Sequence, residues 1–132
     1  MSMSEEERKV IVALEMEKAK STMKEAETLL KNELWNGVAN RLYYAVFHAV
    51  SALLIKDKHQ VNTHRGLHAM FAIHYIKTGV LPNSYGRLYS LLQTMRQESD
   101  YNCMYDVAPE ELKEKIEPAK LLLLDIENLL LQ

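Results

Sequence analysis

The chain has 132 residues, enough for one domain, and its 48% hydrophobic content allows a buried core without disulfide or metal staples. Four Gly and three Pro among many Leu, Ala, Lys, Glu and Met favour helices over sheets. The single cysteine, Cys103, excludes an internal disulfide and suits a reducing cytoplasm, and the net charge of −2 hides an uneven distribution.

The opening "MSMSEEERK" is polar and acidic, unlike a signal peptide. The longest apolar runs, such as "LLLLDI", fall far short of the ~20 residues a membrane helix needs. A cytoplasmic protein with no membrane segment is expected, as a single domain over residues 1–132.

Val12, Met16, Ala19, Met23, Ala26 and Leu30 recur at steps of four and three, which predicts a first helix over Glu5–Lys31 with one apolar face. The second segment, Leu34–Lys56, contains "LYYAVFHAVSALLI" and is apolar almost all round, so it is expected at the buried centre. Within it Arg41, Tyr44, His48 and Ser51 form a buried polar stripe that needs partners, either an acid from another helix or a bound anion. With a buried charge partner, Arg41→Ala would cost roughly 3 kcal/mol.

Asn62 or Thr63 is placed to cap a third helix over His64–Lys77, which Gly79 ends. After Pro82, Asn83 or Ser84 is placed to cap a fourth, with Tyr85, Leu88, Leu92 and Met95 on its apolar face. Pro109 fits the first turn of a fifth helix faced by Leu112, Ile116, Ala119, Leu123, Ile126 and Leu130, which Pro118 should kink or split. The fold class read from this pattern is all-α, a bundle of five helices, antiparallel because the connections are short.

Residues 56–96 carry six Lys/Arg against Asp57 alone, while residues 97–132 carry three against nine acids. Either the basic middle binds an anion such as nucleic acid, or the acidic last helix packs beside it and cancels it.

His64 and His68 have the spacing of two ligands on one helix face, but Arg65 stands where a zinc-enzyme helix carries Glu, and no third ligand is evident. No metal or cofactor is therefore assigned. Cys103 has no nearby His, glycine-rich phosphate loops are absent, and Glu110 and Glu111 suit a helix start. In "TMRQESDYNCMY", Arg96 and Asp100 stand four apart with Tyr101 next. An exposed pair there would contribute about 0.3–0.5 kcal/mol.

Three stretches together resemble the HEPN family: "NRLYYAVFHAVSALL" (Asn40–Leu54), "THRGLHAMF" (Thr63–Phe71) and "RQESDY" (Arg96–Tyr101). The resemblance implies an up-and-down four-helix bundle with an additional helix, a homodimer, and a small nucleotidyltransferase as partner, often as a toxin–antitoxin pair. It also implies, for some members, metal-independent RNA cleavage by an Arg followed after four to six residues by a His. Here that interval leads from Arg96 to Tyr101, Asn102 or Cys103, none of them His. A tyrosine with its ordinary pKa near 10 is a poor base at neutral pH. Arg41 and His48 match the spacing but lie on the second helix, away from the family's catalytic position. In some members a tyrosine two residues after that His receives a nucleotidyl group; Cys103 occupies the position here.

The resemblance thus implies a nucleotide- or RNA-related binding module in which Arg96, Asp100 and Tyr101 form a ligand-binding or interface cluster. The alternative is a ribonuclease with an atypical site centred on Arg96.

Overall fold

The helix that the other four share is the second. Twelve of its 22 residues are buried, among them Val38, Leu42, Tyr43, Val46 and Leu53. The computed structural model describes residues 3–132 and contains five α-helices: α1 (Glu5–Lys31), α2 (Trp35–Lys56), α3 (His64–Phe71), α4 (Asn83–Tyr101) and α5 (Pro109–Leu130). No strand occurs among the described residues.

Side-chain pairs between helices give their directions. Glu25 meets Arg41, Glu15 meets His48 and Arg8 reaches the Ile55 carbonyl, so α1 runs antiparallel to α2. Asn40 meets Asp100 and Tyr43 meets Arg96, so α4 is also antiparallel to α2. Trp35 lies under Lys113 and Lys56 donates to the Leu129 carbonyl, so α5 runs parallel to α2. These four helices make the up-and-down bundle. The additional helix is α3, which starts beside Tyr43 and leads to Tyr75, whose hydroxyl bonds Asp57 just past the end of α2.

Both turns at the ends of α2 close in the same way. After α1, the Leu34 amide bonds the Leu29 carbonyl and the Glu33 amide bonds that of Leu30, with Glu33 at φ 57°. After α2, His59 bonds Leu54 and Lys58 bonds Ile55, with Lys58 at φ 66°. This cap pattern usually places Gly at the left-handed position. The sequence offers no glycine there, yet the turns form.

The apolar faces lie where the periodicity puts them. Met16, Ala19, Met23 and Ala26 of α1 are buried, as are Tyr85, Leu88, Leu92 and Met95 of α4 and Leu112, Ile116, Ala119, Leu123 and Ile126 of α5. Val12, Leu30 and Leu130 are half-buried.

Four expectations need correction. The α-helical part of the third segment stops at Phe71, and the chain continues through a wider π turn, Ala72–Ile76, before Gly79 at φ 80° ends it. Neither Asn83 nor Ser84 caps α4, because the helix begins at Asn83 itself, preceded by Pro82 with no side-chain cap. Pro118 does not split α5, which stays one helix of 22 residues with this proline on its exposed side. Finally, α2 as a whole is long and apolar enough to cross a membrane by length and composition, although 67% of its most apolar window is buried in the bundle. Helices buried on most faces share that composition.

Candidate functional site

The site lies where α2, α3 and α4 meet. Arg96, on the last turns of α4, is only 8% exposed. Its guanidinium carbon sits 4.8 Å from the centre of the Tyr43 ring, 5.8 Å from that of Tyr44 and 5.9 Å from that of Tyr101. The carboxylate paired with it, on Asp100, is 3.9 Å from Nη1, and Nε is buried without a hydrogen-bond partner. An exposed ion pair is therefore the wrong picture of Arg96 and Asp100. The arginine is buried by aromatic rings, and its charge is balanced only in part. Tyr101 is 78% exposed and forms the solvent side of this arrangement.

Asp100 is tied more closely to α2. Its Oδ2 accepts from Asn40 Nδ2 at 3.1 Å. The Asn40 side-chain Oδ1 accepts from Arg41 Nη2 at 2.6 Å and from its Nε at 3.0 Å, while Arg41 Nη1 donates to Glu25 at 3.1 Å. A polar chain thus runs from Glu25 on α1 through Arg41 and Asn40 on α2 to Asp100 on α4. Tyr44 lies between two guanidinium groups, with Arg41 5.6 Å and Arg96 5.8 Å from its centre. The two clusters that look separate in sequence are one site, joined by Asn40.

The polar stripe of α2 is less buried than expected. Arg41, Tyr44 and His48 are half-buried and only Ser51 is buried. The stripe turns toward the edge of α1, whose Glu25 and Glu15 supply the acids; Glu25 is itself 56% exposed. Ser51 has left the network and lines a cavity of about 290 Å³ with Arg8, Lys58 and Asn62 at the other end of α2.

His64 is the residue whose place in the site the sequence did not reveal. It opens α3, where the Thr63 hydroxyl accepts from the Gly66 amide at 2.8 Å. A Cβ on Gly66 would come within 2.9 Å of that hydroxyl oxygen and 3.0 Å of Val61, so this start accepts only glycine without a shift. The His64 ring stacks on Phe47 at 4.4 Å, and its Nδ1 lies 2.8 Å from the Tyr43 hydroxyl. Burial, followed by the charge of Arg96, holds its pKa below the usual imidazole range. Burial also pushes the Tyr43 hydroxyl up, against an opposing pull from Arg96. His64 and His68 do not converge. His68 turns to Ser90 at 3.0 Å and to the ring of Tyr89.

Among the described residues one ion pair joins the acidic last segment to the basic middle, Asp100 with Arg96 at 3.9 Å. Glu127 pairs with Lys20 and Lys120 with Glu27, which binds α5 to α1 instead. Lys58 pairs with Glu5, and Lys56 is spent on the carbonyls of Leu129 and Gln132.

Comparison with known proteins places this chain in a family. The HEPN domain model matches residues 12–129. The chain belongs to the HEPN domain family. A "UPF0332 protein" of Thermotoga maritima is 33% identical over 124 residues, covering 94% of both chains. Two chains of Methanocaldococcus jannaschii are also similar. "Putative toxin MJ0605" is 31% identical over 101 residues, with 76% of this chain and 74% of that one covered. "Putative toxin MJ0142" is 30% identical over 96 residues, with 73% and 65% covered.

Within this HEPN chain the helix carrying Arg96 has no histidine after the arginine, and the fold brings His64 to the same aromatic cluster from α3. The only hints in the sequence were a capped histidine at a helix start and paired tyrosines one helix earlier. Neither reports a contact across 21 residues of chain.

Proposed function

We propose that this chain is a homodimeric HEPN module that binds RNA or a nucleotide phosphate through Arg96 and works with a small nucleotidyltransferase as half of a toxin–antitoxin pair. One observation carries the reading. Arg96 is held under aromatic rings with its carboxylate standing 3.9 Å from Nη1, and its terminal nitrogens, unlike Nε, are not among the buried unpaired atoms, so part of their hydrogen-bonding capacity is unspent and open to a ligand. A phosphate oxygen supplies the acceptor that such a guanidinium lacks. Tyr101 adds an exposed ring on which a base can stack. The toxin names of two relatives support the pairing with an antitoxin. Met104, largely in solvent, supplies apolar surface for the second copy.

The test is fluorescence anisotropy with a short single-stranded RNA, beside light scattering for the oligomeric state. Arg96→Gln is expected to weaken binding at least about tenfold, in line with a charged hydrogen bond of roughly 1.5–3 kcal/mol. Equal affinity in the variant would remove Arg96 from the interface, and a monomer at working concentration would remove the dimer.

A second reading, a ribonuclease centred on Arg96, is favoured by one feature: an imidazole stands beside the arginine after all, supplied by α3.

A further inference from the structure

The cavity of about 290 Å³ lies toward the C-terminal end of α2, away from the Tyr43–Arg96 contact, where the start of α1 and the segment leading to α3 also meet. Leu54, Val61 and Leu67 give it an apolar side. Arg8 and Lys58 line it as well, and among the described residues no Asp or Glu does. The acid these two cations share, Glu5, lies outside the lining with its side chain 66% exposed, 3.8 Å from Arg8 Nε and 3.3 Å from Lys58 Nζ.

The Arg8 guanidinium is fixed at one corner. Nη1 donates to the Ile55 carbonyl at 2.7 Å, and Nε is buried without a hydrogen-bond partner. Nη2 makes no hydrogen bond among the described residues and is not one of the buried unpaired atoms, so its donors are left for a ligand. Ser51 is in the same condition. Only 8% of it is exposed, yet its hydroxyl is neither hydrogen-bonded nor among the buried unpaired atoms, which leaves the cavity as the place it opens to.

We propose that this cavity binds a small organic monocarboxylate, its anionic head toward Arg8, Lys58 and Ser51 and its apolar body on Leu54, Val61 and Leu67. Two cations sharing one acid leave a single positive charge for a ligand, which a carboxylate balances and a phosphate dianion exceeds. A wholly apolar occupant would leave Arg8 and Ser51 desolvated without a partner. A bare inorganic anion would leave the apolar side wet. The site stands apart from Arg96 and does not depend on what Arg96 binds.

An occupant there joins three parts of the chain: Arg8 of α1, Ser51 and Leu54 of α2, and the segment before the Thr63 cap. That segment already has two anchors. His59 stacks on His74 at 3.9 Å, and Val61 packs so closely over the start of α3 that a Cβ on Gly66 would come within 3.0 Å of it. The bound carboxylate adds a third anchor and holds the connection between α2 and α3.

The experiment titrates the isotope-labelled whole chain with benzoate and with hexanoate and follows its amide resonances, beside benzyl alcohol and phenyl phosphate as probes of the head group. At least one carboxylate is expected to shift the amides from Lys58 to Gly66 saturably, with a dissociation constant of about 1 mM or tighter. Benzyl alcohol and phenyl phosphate should bind at least about tenfold more weakly. Arg8→Met should weaken the carboxylate by a similar factor. Should that variant fail to fold for want of the Ile55 bond, Lys58→Gly carries the test, because glycine suits the φ of 66° at that position. Lys58 is largely exposed, so a loss of about threefold is expected there. No saturable shift from either carboxylate, shifts confined to other surfaces, equal binding of benzyl alcohol, tighter binding of phenyl phosphate, or unchanged affinity in the folded variants would each overturn the proposal.

Discussion

The guanidinium carbon of Arg96 lies 4.8 Å from the centre of the Tyr43 ring, nearer than any other cation–ring distance in the site. The arginine is thus supported by an aromatic face from below, while its carboxylate stands off at 3.9 Å. Such an arrangement adds little to stability, because a buried charge that is incompletely paired carries a desolvation cost.

Arg96→Met is therefore expected to leave stability within about 1 kcal/mol of wild type, or to raise it, while abolishing RNA affinity. Urea denaturation beside anisotropy separates the two effects. A stability loss above about 3 kcal/mol would show that the guanidinium is a structural ion after all.

Arg41→Ala should cost less than about 1 kcal/mol, against the roughly 3 kcal/mol expected for a buried pair. The reason is Glu25, which is 56% exposed and leaves Arg41 at a wet edge of the bundle. Its hydrogen bonds to Asn40 are the larger part of what the substitution removes. The urea midpoint at constant slope measures this.

Acidification should destabilise the fold between about pH 7 and pH 5. His64 and His68 both titrate below the usual imidazole value near 6.5, chiefly because burial disfavours their charged forms. Below that value the unfolded chain takes up protons that the folded chain refuses. Stability is accordingly full above it and declines as pH falls toward the folded values. The difference in urea midpoint between the two pH values should shrink in His68→Gln, and an unchanged difference would rule out that residue as a contributor.

Glu33→Gly should stabilise the protein by about 1 kcal/mol. Glu33 sits at φ 57° at the left-handed position of the turn between α1 and α2, where a side chain is strained and glycine is not. Thermal melting reads the gain. A lower melting temperature would mean that the Glu33 side chain contributes more than its backbone costs.

Much of the fold is legible in the sequence because it is local. The steps of three and four that mark Met16 to Ala26, or Tyr85 to Met95, are consequences of helical geometry and need no knowledge of the neighbours. The burial of a given arginine is different. Arg41, inside an apolar run, emerges at the edge of α1, whereas Arg96, in a polar segment, is enclosed by rings from α2. Nothing local distinguishes these cases, since each depends on which face of α2 meets which helix. The same holds for the Tyr43–His64 contact, which requires the chain after Lys56 to double back along α2 before α3 begins. The Thr63 cap was within reach of sequence reasoning, but the place to which it delivers His64 was not.

That doubling back has a consequence for synthesis. Tyr43, His64 and Arg96 leave the ribosome in that order, and the arginine comes last, on the helix that must dock against α2 to complete the cluster. A nascent or truncated chain ending before α4 has the imidazole and its tyrosine but no cation beside them. The cluster is therefore incomplete until nearly three-quarters of the chain has been made.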